Sequence, residues 1–305
     1  MAAPVPAAVE SIEPAPTVEE HWLANRLLAV RRFDEGGEPA VMLHGLGGTS
    51  LNWTDLAFQM AGRLDSWAID LPGFGATPPP RDGDYSPQGY ARGVVELIDE
   101  HIEESVHLFG NSMGGAIALQ VAARYPDRVR SLTLISPALP GNRVRSANFH
   151  LPVLAVPGVG ERLTARYMKQ APVTRVRDTL RTCYADTDRI HPQRLAEAIA
   201  EVERRDRLTY SSDAWVQALR GLLKNMVETG PERPLALARR ITAPTLLIYG
   251  QKDKLVDPRG AHRVGNLIPD SRVVMLPDSG HVAQMEHPEY VKHYWEELIG
   301  PPWRP

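Results

Sequence analysis

The sequence predicts an α/β fold: one mainly parallel sheet with helices on both faces, interrupted by an inserted helical region. Three observations carry this. Short apolar runs alternate with amphipathic stretches over residues 26–135 and again over residues 245–298, the pattern of strands joined by crossover helices. Glycine-rich turns follow several of the apolar runs, at the strand ends where open α/β sheets bind ligands. Between the two alternating blocks, from Pro137 to Leu235, there are amphipathic helical segments and no convincing strand.

The elements follow in chain order. Arg26–Phe33 and Ala40–Leu43 read as strands, joined as a hairpin through Asp34-Glu35-Gly36-Gly37. The loop His44-Gly45-Leu46-Gly47-Gly48-Thr49-Ser50 comes next, then a helix over Trp53–Leu64 and a strand over Ser66–Ile69. Asp70-Leu71-Pro72-Gly73-Phe74-Gly75 is a further turn at the same sheet edge, and Pro78–Asp84 an exposed connection. Ser86–Ile102 is helical, with Ser86 as N-cap and Pro87 at the first helical position. Val106–Phe109 is a strand, Gly110–Gly115 a sharp turn, Ala116–Ala123 a helix and Val129–Ile135 a strand.

In the insertion, helices are expected at Glu161–Gln170, Thr174–Tyr184, Pro192–Asp206 and Asp213–Thr229. Its apolar stretch Leu151–Pro157 suits either an acyl chain or the insertion's own core. The alternation resumes with Thr245–Tyr249, a helix near Pro258–Leu267, the strand Arg272–Leu276 and a helix near Pro288–Leu298. The expected organisation is a mobile leader over 1–20, a core of 21–136 and 236–305, and an inserted helical region over 137–235.

The 305 residues carry 34 basic and 37 acidic side chains, a net charge of −3. That balance argues against nucleic acid as a partner, which needs concentrated positive charge. The insertion alone holds 16 basic and 11 acidic residues. A solvated surface with snorkelling arginines accounts for this, as does attraction to anionic substrates or lipid headgroups. Cys183 is the single cysteine, so no intrachain disulfide forms and the residue reads as small and apolar. The first twenty residues lack the basic start and apolar centre of a secretion signal. No run reaches the roughly 18 apolar residues that span a bilayer. A soluble, cytoplasmic protein is expected, with peripheral membrane contact left open and the oligomeric state not legible.

The chemistry centres on Gly110-Asn111-Ser112-Met113-Gly114. A serine between strand and helix is forced into a strained conformation that lifts its hydroxyl out of the sheet, and Gly110 and Gly114 remove the side chains that would clash across the bend. The following helix points backbone N–H groups at the same place, where they stabilise charge on an attacked carbonyl oxygen. The spacing alone occurs by chance in roughly one chain in ten of this length, so its strand-turn-helix setting carries the argument. A serine hydroxyl needs a base, and the base an orienting group. Asp253 follows the strand Thr245–Tyr249, and His281 follows the next strand, in Asp278-Ser279-Gly280-His281. Asp257 and Asp278 are acidic alternatives close by.

With these motifs the chain resembles the α/β-hydrolase superfamily, whose triad runs Ser, Asp or Glu, then His. The resemblance covers about Arg26–Leu298 and puts the insertion where this superfamily carries its lid. It implies Ser112 as nucleophile, His281 as general base and acid, and Asp253 as orienting carboxylate. The backbone N–H groups of Leu46 and Met113 would form the oxyanion hole, with His44 and Gly45 shaping its loop. Some members place the acid after the preceding strand, but Ser136 stands there. No metal or cofactor is implied. A serine nucleophile argues against haloalkane dehalogenases and epoxide hydrolases of this fold, which use Asp. The spelling around Ser112 is similar to monoacylglycerol lipase-like esterases and to meta-cleavage product hydrolases that break carbon–carbon bonds. The His44–Gly48 loop departs from the Gly-Pro-Gly form common in the second group, which favours a carboxylic ester with an apolar acyl part as substrate. A ligand-binding receptor on a hydrolase scaffold is the reading from another class.

Overall fold

The computed structural model describes residues 12–140 and 151–300. Most of the expected leader, the stretch 141–150 of the insertion and the last five residues lie outside the described residues. One eight-stranded sheet is built from β1 (Glu19–Trp22), β2 (Leu27–Phe33), β3 (Glu38–Leu43), β4 (Leu64–Asp70), β5 (Val106–Asn111), β6 (Val129–Ile135), β7 (Thr245–Gly250) and β8 (Ser271–Leu276). Its order is β1-β2-β4-β3-β5-β6-β7-β8. β2 is antiparallel to both β1 and β4, and the remaining pairs are parallel.

Strands β3 to β7 are buried almost throughout because both faces of the sheet are covered. In β3, Val41 and Leu43 enter one core and Ala40 and Met42 the other, with the period of two that a pleated strand imposes. The first core also takes Tyr90 and Val94 of α2 (Pro87–Leu97) and Ile117 and Leu119 of α3 (Met113–Arg124). In the second, α1 (Thr54–Met60) supplies Leu56 and Met60, and the C-terminal helix supplies Val291 and Trp295. Each fully buried side chain of this size contributes about 1.5–3 kcal/mol.

Three expectations are corrected. β2 and β3 do not form a hairpin, because β4 pairs with both and lies between them. β3 is buried at five of its six positions and needs partners on both sides, whereas β2 keeps Arg31 and Arg32 partly exposed. Asp34 adopts a left-handed φ of 65° and accepts the Glu35 and Gly36 N–H groups, shaping the short connection. In addition, Glu19 and Glu20 at the end of the expected leader belong to edge strand β1, whose largely exposed residues carry little apolar pattern.

Helix α1 is shorter than expected. A 3-10 turn at Ser50–Trp53 precedes it, and β4 already begins at Leu64. The Ser86 cap is present, its Oγ accepting the Gly89 N–H at 3.0 Å, with Pro87 opening the helix.

Between β6 and β7 the described residues contain helices and no strand: α4 (Leu151–Leu154), α5 (Val159–Tyr167), α6 (Pro172–Cys183), α7 (Pro192–Arg205) and α8 (Ser211–Met226). α9 (Pro234–Leu237) also precedes β7, and α10 (Ala261–Gly265), α11 (Ala283–Glu286) and α12 (Pro288–Ile299) come after it. Helix α8 reaches loops at the carboxyl edge of the sheet. A Cβ on Gly73 would lie 2.9 Å from Ala214, and one on Gly47 would lie 3.0 Å from the Trp215 indole nitrogen. No helix among the described residues is long and apolar enough to cross a membrane.

Candidate active site

β5 ends in the turn that carries Ser112. The residue sits at φ 54° and ψ −113°, outside ordinary strand and helix conformations, and α3 starts at the next residue. Its amide donates to Ile135 O at 3.0 Å, and its carbonyl accepts the N–H groups of Ala116 at 3.2 Å and Ala138 at 2.9 Å. The strain is held by these bonds and by close packing. A Cβ on Gly110 would overlap the Gly114 carbonyl, and a Cβ on Gly114 would overlap the Leu43 carbonyl at the end of β3. Both glycines are therefore needed for the bend itself.

The loop after β3 lies against this turn, since a Cβ on Gly45 would stand 3.2 Å from Ser112 Cβ and from Asn111 Oδ1. His44 is fully buried. Its Nδ1 lies 2.7 Å from Gly45 O, and its Nε2 accepts the Leu71 N–H at 3.0 Å, which assigns the proton to Nδ1. Burial pushes this imidazole down to about 4, against a smaller raising effect of the Gly45 carbonyl and Asp70. His44 is thus a neutral strut between two loops. Asp70 ties the same loops, accepting Ser50 N–H at 2.7 Å and Ala76 N–H at 2.8 Å.

Asp253 and His281 meet. His281 Nδ1 lies 2.8 Å from Asp253 Oδ2, and Asp253 Oδ1 accepts the Leu255 and Val256 N–H groups at 2.7 and 2.9 Å. Burial alone would raise the Asp253 carboxyl, but the charge and hydrogen bond of His281 and the two amides outweigh it and hold it below the ordinary carboxylate value. The acidic alternatives are engaged elsewhere: Asp257 pairs with Arg259, and exposed Asp278 pairs with Lys252. The serine and histidine loops are joined by Asn111, whose Nδ2 donates to Ile135 O at 3.1 Å and His281 O at 3.0 Å. The Ser112 turn, the glycine loop and the Asp253–His281 pair therefore share one edge of the sheet, as parallel β3, β5, β7 and β8 require.

The model for the alpha/beta hydrolase fold matches residues 39–288. The chain belongs to the α/β-hydrolase family. Lipase 1 of Psychrobacter immobilis is 28% identical over 265 residues, 86% of this chain and 77% of that protein. The 2-hydroxy-6-oxo-6-(2'-aminophenyl)hexa-2,4-dienoic acid hydrolase of Metapseudomonas resinovorans is 27% identical, covering 83% of this chain and 81% of that one. Among solved structures, a thermophilic esterase from Thermogutta terrifontis superposes with a TM-score of 0.70 at 22% identity, covering 93% of this chain and 98% of its own.

In this α/β hydrolase several contributors are invisible to sequence reasoning. Arg205 at the end of α7 donates to Gly47 O at 2.8 Å, and Trp215 of α8 packs on the same glycine. Both press the insertion onto the glycine loop, yet each reads in the sequence as one more residue of an amphipathic helix. Buried Glu286 accepts amides from the histidine loop and from the insertion. The only available signal was an acid inside the apolar run that follows His281. Cys183 is partly exposed, and desolvation pushes its thiol up to about 12, which disfavours the thiolate.

Proposed function

We propose that this α/β hydrolase cleaves carboxylic esters through an acyl-enzyme. Ser112 Oγ attacks the ester carbonyl while His281 Nε2 takes its proton. The resulting imidazolium is stabilised by Asp253 through Nδ1. The backbone N–H groups of Leu46 and Met113 receive the oxyanion, and His281 then protonates the departing alkoxide. A water deprotonated by His281 releases the acid and restores Ser112.

The observation that carries this reading is the buried 2.8 Å bond between His281 and Asp253, at the sheet edge that also bears the strained Ser112 turn. The relationship to Lipase 1 supports an ester over other acyl groups. Residues 151–157 of the insertion contain no buried side chain and expose Val153 and Val156, which supplies apolar surface to a lid over an acyl chain. Labelling by a fluorophosphonate probe, abolished in Ser112→Ala, with a chain-length optimum on p-nitrophenyl esters, is the expected result. Retained ester turnover in folded Ser112→Ala refutes it.

A second reading places the same machinery on a vinylogous diketone, with cleavage of a carbon–carbon bond. The relationship to the hexadienoic acid hydrolase favours it. Turnover of such a ring-cleavage product hundreds of times faster than any simple ester would establish this second reading.

A further inference from the structure

The loop that carries His281 is held from the side of the insertion. Glu286, at the end of α11, is 1% exposed. Its Oε2 accepts the N–H of Gly280, the residue immediately before His281, at 2.6 Å. Its Oε1 accepts the N–H groups of Ala185 and Asp186, just beyond α6, at 2.8 and 2.7 Å. Three amides converging on one buried carboxylate form a charge-assisted set, stronger than neutral hydrogen bonds. Around it the same two segments touch directly. The His281 N–H donates to Cys183 O at 2.6 Å, and any side chain at Gly280 would overlap that carbonyl.

From this geometry we infer that Glu286 is a positioning residue, clasping the His281 loop to the end of α6 and so making the placement of the imidazole depend on the seating of the insertion. The inference rests on His281 acting as the base. The His281 backbone is gripped on both sides, by Cys183 O at its N–H and by Asn111 Nδ2 at its carbonyl. The ring is fixed at Nδ1 by Asp253. Glu286 sets where that peptide lies, and reorienting the Gly280–His281 peptide carries the ring out of its bond with Asp253.

A neighbouring tether separates loop placement from plain attachment. Arg189 Nε donates to Glu286 O at 2.6 Å and its Nη2 to Glu289 at 2.9 Å. It links the insertion to α11 and α12 without contacting Gly280, so Arg189→Gln weakens attachment alone.

The experiment compares wild type, Glu286→Gln and Arg189→Gln, each checked for folding by circular dichroism and thermal melting. The readouts are kcat and KM on a p-nitrophenyl ester, the rate of fluorophosphonate labelling, and the downfield proton resonance of the His281–Asp253 bond. That resonance is assigned by its loss in Asp253→Asn. A glutamine presents an NH2 group where one carboxylate oxygen stood, so it opposes an amide on one side of the clasp. In folded Glu286→Gln, kcat and the labelling rate are expected to fall at least tenfold with KM changed less than twofold, and the downfield resonance to broaden or vanish. Arg189→Gln is expected to lower the melting temperature while keeping more than half of kcat and the resonance. An unchanged kcat and resonance in Glu286→Gln, or equal losses in both variants, overturns the inference. If Glu286→Gln does not fold, Glu286→Asp, one methylene too short to span both segments, decides on the same criteria. Failure of the underlying reading looks different, since His281→Gln would then retain turnover and labelling.

Discussion

His281 Nδ1 and Asp253 Oδ2 stand 2.8 Å apart, with Asp253 wholly buried and His281 4% exposed. The carboxylate has its second oxygen occupied by two backbone amides, so it is fixed in position and accepts from one ring nitrogen only. That assigns the proton to Nδ1 and leaves Nε2 as the basic atom. Asp253→Asn is expected to keep the fold and lower kcat by roughly 10³–10⁴-fold, because the amide favours the wrong tautomer. Steady-state kinetics on a p-nitrophenyl ester, alongside a thermal melt, check this; a loss below tenfold would assign the orienting role elsewhere.

The bend at Ser112 depends on glycine for steric reasons. A methyl group on Gly114 meets the backbone carbonyl of Leu43, which β3 cannot withdraw without breaking its pairing with β5. Gly114→Ala is expected to destabilise the protein by about 1–3 kcal/mol, as overpacking does, and to slow fluorophosphonate labelling. Urea unfolding and labelling rates on the same preparation measure the two effects.

The buried His44 makes stability depend on pH with a defined sign. Its native pKa, about 4, lies below the ordinary value of 6.5. Above about pH 6.5 the ring is neutral in both states and burial carries no penalty. As pH falls from there towards 4, the unfolded chain takes up a proton that the native chain refuses, so stability drops, in total by about 3 kcal/mol. His44→Gln retains a donor and an acceptor but does not titrate. Denaturant unfolding at several pH values between about 7.5 and 4.5 should give a shallower decline in the variant. Parallel curves for the two proteins contradict the assignment. His21 and His107, whose pKa values are also lowered by burial, act equally in both and cancel.

On the opposite face of the sheet, Trp295 of α12 is fully buried, 5.0 Å from the His107 ring and 6.1 Å from the Phe109 ring by centroids. Trp295→Ala is expected to cost about 3–5 kcal/mol through lost burial and a residual cavity. A loss below 1 kcal/mol in chemical denaturation would show that the site collapses around the gap.

How much was legible follows from which signals are local. The turn at Ser112 was readable because strand, glycines and helix lie within twenty consecutive residues, and the bend needs those residue types whatever surrounds them. Ser86 and Pro87 announced the start of α2 for the same reason. β1 was not readable, since its exposed residues contribute no apolar alternation. The hairpin expected between β2 and β3 failed because a short connection constrains the distance between strand ends and leaves partner choice to burial.

The sequence by itself determined the α/β class, the turn that strains Ser112, and the candidacy of Asp253 and His281, because these are properties of local pattern. Only the tertiary structure decided that Asp253, rather than Asp257 or Asp278, meets the imidazole, that β4 separates β2 from β3, and that Asn111 and Glu286 grip the histidine loop. Those outcomes depend on which distant segments share one edge of the sheet. Segments a hundred residues apart, such as Ala185 and Glu286, are brought together by packing, and no short-range signal in either of them encodes the other.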